Sequence, residues 1–355
     1  MKRFPFLDWL RGLAVVVMIQ CHTFNSAVRL DLRNTGGYVL SQFIGGMAAP
    51  LFLFMAGMTT AFQMESLERR EVIPMQRWVA SLRRAGYILV IAFLFRLTNF
   101  LASWPNGKLE EMTRVDILNC MALAMGVLAF VAVFPSAVRA RAAAVAGLLI
   151  AGLAPLVANL DWSGAPHILH EYLAFISGRG QFPFFPCAAY LAFGIATGTV
   201  VKRAAQDRFE RIMQWSVLIG FALILGAQYL ANVPYSIYAK SNFWTDNPTL
   251  ILIRTGIMLL TMAAAYIWTQ YCASTRWSWM QCLGKNSLMV YWVHVMLVYG
   301  GLATPFKRTM QNWQAGIATA MVTASMIGLS AGWLRYKAVR AERWKSATKI
   351  AAGVA

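Results

Sequence analysis

Apolar runs of about 20 residues recur from one end of this chain to the other, and a helix of about that length is needed to cross the hydrocarbon core of a bilayer. Ten can be marked, at 7–27, 40–62, 78–100, 115–134, 141–160, 185–201, 212–231, 250–271, 286–303 and 314–334. Charged residues make up only 13% of the chain, about half of what a soluble domain carries, and mean hydropathy is +0.54. No long polar linker sets one run apart, and there is no low-complexity segment or clear internal repeat. The expectation is an all-α integral membrane protein with about ten transmembrane helices in a single bundle. It forms one domain over 1–355, with a basic tail at 338–355.

Charge placement orients the bundle. With the N-terminus inside, the cytoplasmic segments hold 21 Lys and Arg: Lys2 and Arg3, the 63–84 loop, Arg139 and Arg141, the 202–211 loop, Arg276 and Lys285, and the tail from Arg335 to Lys349. The opposite side holds eight: Arg29, Arg33, Lys108, Arg114, Arg179, Lys240, Lys307 and Arg308. This asymmetry follows the positive-inside rule and predicts that both termini are cytoplasmic. It accounts for most of the net charge of +18. Anionic lipid beside the basic loops explains that charge better than nucleic acid does.

A cleavable signal peptide is the other reading of Lys2 and Arg3 ahead of an apolar stretch. The stretch exceeds the ~7–15 residues of a signal core, and Asp8 and Arg11 sit inside it. The five cysteines, Cys21, Cys120, Cys187, Cys272 and Cys282, show no metal-type or disulfide-type spacing and read as small apolar fillers.

The first run, "LDWLRGLAVVVMIQCHTFNS", carries Asp8, Arg11 and His22. At 100° per residue, positions 8, 11, 15, 18 and 22 form one stripe. Arg11 and His22 are within about 20° of each other in rotation and about 16 Å apart along the axis, and Asp8 is placed to pair with Arg11. Ionisable groups in a membrane face a bundle interior or a wet cavity, so this face would link an inner cation to an outer histidine. Arg11 snorkelling to lipid phosphate and His22 packing against another helix are the plainer alternatives.

"RGLAVVVMIQCH" (11–22) resembles the Arg-x10-His signature of the acyltransferase-3 superfamily of membrane acyltransferases. "APLFLFMAGMTTAF" (49–62) is similar to the second-helix motif. "RVDILNCMALAMG" (114–126), "FPFFPCAAYLAFGIATG" (182–198) and "LGKNSLMVYWVH" (283–294) resemble later motifs of the heparan-α-glucosaminide N-acetyltransferase catalytic-domain family and its bacterial relatives. The first loop, 28–39, has no histidine, so His22 takes the catalytic role by the superfamily analogy.

The resemblance implies a multi-pass enzyme of a bacterial inner (plasma) membrane. It would move an acyl group, an acetyl group first of all, from cytoplasmic acyl-coenzyme A to a hydroxyl or amine of an extracytoplasmic acceptor such as a glycan. Acetyl-CoA or another acyl-CoA is then the co-substrate, no metal is required, and assembly as a homodimer is left open. Arg11 with Asp8, together with Arg83 and Arg84, forms a basic inner mouth suited to coenzyme A phosphates. His22 can act as general base or form an acyl-histidine.

Ser287, Tyr291 and His294 are spaced i, i+4 and i+7 in the ninth run and share a second polar face. On this reading Ser287 and Tyr291 contact the donor. His294, about 12 Å deep by helix rise, is a second catalytic imidazole lying below His22. Interhelical packing is the equal alternative. Asp116 can orient His22 or bind acceptor, or it can pair with Arg96 or Arg254, which also lie near outer helix ends. "HILHE" (167–171) spaces two histidines for a metal, with no third ligand in register, and serves better as an acceptor loop or a cap.

Phosphate-binding loops, Gly-x-Ser-x-Gly elbows and paired glycosidase carboxylates are absent from the sequence. A transporter or flippase is the other function class that suits embedded Arg, His and Asp. Transporters commonly carry matching halves, and the two five-run halves here do not resemble each other.

Overall fold

Proline begins three of the main helices, at positions 5, 74 and 248, where its missing N–H would have had no partner. Pro5 opens α1 (Pro5–Ala27), with Asp8 in the first turn. Pro248 opens α11 (Pro248–Ile267) behind the capping side chain of Asn247. The computed structural model describes residues 4–102, 109–176, 182–204, 208–272 and 277–353. Lys2, Arg3, Lys108, Arg179, Arg276 and the side chains of Lys345 and Lys349 lie outside what it describes.

The remaining helices are α2 (Gly36–Gly45), α3 (Ala48–Glu68), α4 (Pro74–Ala102), α5 (Glu110–Thr113), α6 (Ile117–Val127), α7 (Ser136–Ala158), α8 (His167–Leu173), α9 (Phe184–Arg203), α10 (Phe209–Ala231), α12 (Trp279–Lys285), α13 (Ser287–Tyr299) and α14 (Asn312–Gly353). No strand forms among the described residues.

Seven helical stretches are long and apolar enough to cross a membrane: Gly36–Glu68, Pro74–Ala102, Ser136–Ala158, Phe184–Arg203, Phe209–Ala231, Pro248–Cys272 and Asn312–Trp344. The other three expected runs fall on α1 and on the shorter apolar helices Ile117–Val133 and Ser287–Tyr299. Each of these last three has a local reason to miss the criterion. Polar residues stripe α1, α6 tightens into a 3-10 turn at Leu128–Val133, and α13 ends at Gly300.

The chain forms two compact units: Met1–Gly46 with Cys272–Ala355, and Met47–Tyr271. In the first, α1 lies against α12 at backbone contact. A Cβ on Gly284 would sit 1.8 Å from the Asp8 carbonyl oxygen, and one on Gly12 would sit 1.9 Å from the Met280 carbonyl oxygen. Gly284→Val is therefore expected to force the helices apart and lower stability by about 1–3 kcal/mol. Unfolding of the detergent-solubilised protein checks this, and an unchanged midpoint would rule out the close crossing.

In the second unit, α3 and α9 pack around the buried Phe54, Met58, Leu191 and Ile195. Where α3 ends and α4 and α7 begin, charged side chains are buried together. Arg139, 0% exposed, pairs with Glu65 at 3.5 Å and also with Glu68. Arg77 reaches Glu68 at 3.2 Å, and Glu68 accepts the Ser136 N–H at 3.1 Å. A carboxylate at the start of α7 also favours the positive end of the helix dipole.

Candidate active site

α1 runs unbroken from Pro5 to Ala27, so the stripe expected from spacing is real. Asp8 is buried, and its carboxylate lies 3.4 Å from Arg11, whose side chain keeps 26% exposure. Eleven residues further on, His22 Nδ1 lies 2.9 Å from His294 Nε2. The two imidazoles lie edge to edge in nearly parallel planes, with centroids 5.1 Å apart and planes 9° apart. His294 is fully buried, and its Nδ1 lies 2.8 Å from the Val290 carbonyl oxygen. His22 is half-buried.

Register places this pair. One turn beyond each histidine, Ser26 Oγ donates to the Val298 carbonyl at 2.9 Å. The same lock continues outward, with Arg308 N–H donating to the Ser26 carbonyl and Met310 N–H to the Ala27 carbonyl. At the other end, Gly284 touches Asp8. α1 and the α12–α13 pair therefore run in the same direction. Spacing had put His294 below His22, but the two are level. The helical path begins at Trp279, seven residues earlier than the ninth run suggested, and the bend at Asn286 carries the chain on to the depth of His22. The buried Asn286 amide donates to the Ser330 carbonyl of α14 at 3.3 Å and holds that bend.

Polar residues that spacing did not single out surround His22. Tyr299 presents its ring to His22 at 5.5 Å, edge to face. Asn25 donates to the Tyr299 hydroxyl at 3.5 Å and accepts from the Tyr38 hydroxyl at 3.4 Å. Arg33 donates to the Asn25 carbonyl and lies over the Tyr38 ring, while Lys307 donates to the Tyr299 carbonyl at 2.7 Å. Asn25, at i+3 from His22, was legible on the α1 stripe. Tyr38 carried no local signal.

The other expected site residues fall as follows. Tyr291 meets His294 at 6.0 Å, and Ser287, half-buried, begins α13. Arg83 is exposed on α4. Arg84 donates to the Thr59 carbonyl and hydroxyl and to Gln63, which ties α4 to α3. Asp116 caps α6 with one oxygen and faces Arg96 Nε at 3.2 Å with the other, so the pairing expected of it is with Arg96.

Glu171 accepts the Val115 N–H, and His167 Nδ1 lies 4.0 Å from Glu171. His170 stacks on Trp162 at 4.7 Å, and partial burial together with His167 lowers its pKa from the usual value. Among the described residues no three metal-ligating side chains come together. A cavity of about 360 Å³ between α1 and α2 is lined by Val16, Val17, Gln20, Gly37, Leu40, Ser41 and Ile44. Its α1 residues lie on the far side of that helix from Arg11 and His22.

α1 presents on one face a buried carboxylate paired with a partly exposed arginine and an imidazole, which is backed by a second imidazole from α13. The family model for the heparan-alpha-glucosaminide N-acetyltransferase catalytic domain matches residues 3–238. The chain belongs to this family. No curated protein matches the chain.

Membership of the heparan-alpha-glucosaminide N-acetyltransferase family makes the protein a member of a membrane acetyltransferase family, and the apolar helices agree with multi-pass insertion. The matched stretch takes in α1 with Asp8, Arg11 and His22 and ends ahead of α13. His294 thus reaches the site from beyond the matched residues.

Proposed function

We propose that this protein transfers an acyl group, acetyl first of all, from cytoplasmic acyl-coenzyme A to a hydroxyl or amine of an extracytoplasmic acceptor, with a glycan the acceptor class the family suggests. In this scheme ten helices cross a bacterial inner membrane, both termini are cytoplasmic, and the basic residues from 338 onward lie against anionic lipid headgroups.

His22 takes the proton from the acceptor as its oxygen or nitrogen attacks the thioester carbonyl. The tetrahedral adduct collapses with cleavage of the carbon–sulfur bond, and the departing thiolate recovers the proton. A neutral imidazole suits both halves of this exchange. An acyl-histidine route would use the same side chain as nucleophile. Arg11, held by Asp8, supplies charge for the coenzyme A phosphates.

One observation carries the reading. The imidazole of His22 touches His294 on the same helix face as the Asp8–Arg11 pair, about 16 Å away by helix rise.

Isothermal titration of the detergent-purified protein with coenzyme A and acetyl-coenzyme A tests it. Arg11→Ala is expected to weaken donor binding about 10- to 100-fold, the worth of a hydrogen bond to a charged group. No binding by wild type, together with counterflow of a polar solute in proteoliposomes, would replace this reading with a transporter.

A further inference from the structure

Two histidines in direct contact inside a membrane protein leave open which ring nitrogen of each carries its proton. Here a carbonyl answers that. The Val290 oxygen only accepts, and it lies 2.8 Å from His294 Nδ1, so His294 Nδ1 carries a proton and donates. A neutral imidazole has one proton, which leaves a lone pair on His294 Nε2. That lone pair faces His22 Nδ1 at 2.9 Å, so His22 Nδ1 must be the donor. The only proton of a neutral His22 is thereby placed on Nδ1.

The reverse order would set two lone pairs against each other at 2.8 Å, or else require a doubly protonated His294. Among the described residues the ring meets His22, Tyr291 and the Val290 carbonyl, none of them anionic, and the side chain is fully buried. An imidazolium there would be costly.

We infer that His294 is a positioning residue that fixes the tautomer of His22, so that Nε2 of His22 is the atom that takes the acceptor's proton. This rests on the acyl-transfer reading above and adds the direction of the proton path. His22 Nε2 makes no hydrogen bond among the described residues, while Nδ1 is engaged. When Nε2 accepts the acceptor's proton, the resulting imidazolium still donates Nδ1–H to His294 Nε2, a charge-assisted bond that stabilises the new charge. When the proton passes to the leaving thiolate, the pair returns to its starting state. The Ser26–Val298 bond one turn away keeps the rings in register.

The chain has four histidines, so nitrogen-15 NMR of histidine-labelled protein is assignable by single substitutions. Wild type is expected to show a protonated Nδ1 and a bare Nε2 on both His22 and His294. In His294→Leu the acceptor for Nδ1–H is gone. His22 should then populate the Nε2-protonated tautomer, and kcat should fall about 100-fold or more with KM for acetyl-coenzyme A unchanged. His294→Gln, whose amide oxygen can accept from Nδ1–H, should recover most of kcat and the wild-type tautomer.

A wild-type His22 protonated on Nε2 overturns the inference, as does a His294→Leu variant that loses activity with its His22 tautomer unchanged. Should His294→Leu fail to fold, the wild-type spectrum and the Gln variant still decide. If the spectra agree but His22→Ala transfers acyl groups normally, the relay stands and the catalytic reading of His22 falls.

Discussion

Replacing His22 with alanine is expected to lower acyl transfer by about 10²–10⁴-fold while acetyl-coenzyme A binding stays near wild type, because a positioned general base is worth about that much. The separation of effects comes from α1 itself. Arg11 and His22 share a face but lie about 16 Å apart, so a change at the imidazole leaves the Asp8–Arg11 pair intact.

The substitution also deprives buried His294 of its 2.9 Å partner, a stability loss of about 1–3 kcal/mol, so the unfolding midpoint should be measured beside the rate. Transfer measured in proteoliposomes, with titration on the same preparation, gives both numbers. Transfer within twofold of wild type would remove His22 from the chemistry. Loss of donor binding with transfer would mean that the two ends of the stripe do not act separately.

Arg139→Ala should produce the largest loss of stability, about 3–5 kcal/mol, the usual result of removing one partner from a buried ion pair. Arg139 is fully buried, and it also donates to the Phe134 carbonyl at 2.9 Å. Without it, Glu65 is left with Arg69 at 3.5 Å, whose side chain is 57% exposed, and Glu68 with Arg77, while Glu65 is itself only 5% exposed. The ends of three helices, α3, α4 and α7, meet there, so the damage should spread through the second unit.

Arg29 and Asp31 pair at 2.7 Å with about half of each side chain exposed, and breaking that pair should cost almost nothing. Denaturant unfolding in micelles compares the two directly. An Arg139→Ala midpoint equal to that of Arg29→Ala would show that water reaches the cluster. Pairing Arg139→Met with Glu65→Gln should recover part of the loss, because Glu68 then stays opposite the buried Arg77 and no buried charge is left unopposed.

The sequence by itself determined the helical membrane character and the polar face of α1. Apolar runs and the 3.6-residue period are local properties, and Asp8, Arg11 and His22 stay on one side of any helix that spans 5–27. The family was legible in the same way, because its motifs are short and contiguous. Only the tertiary structure decided what those side chains meet. His22 and His294 are 272 residues apart in the chain, and their contact depends on a bend at Asn286, a glycine crossing at Gly12 and Gly284, and the Ser26–Val298 lock.

Arg84 illustrates the same limit from the other side. The resemblance, with its basic inner mouth, offered it to coenzyme A, and packing ties it to Thr59 and Gln63. Asp116 had several partners open to it, and folding brought Arg96 to its carboxylate. Periodicity tells which face of a helix is polar. Which neighbour that face finds depends on long-range packing, and one residue of register or one bend moves a side chain by several ångströms.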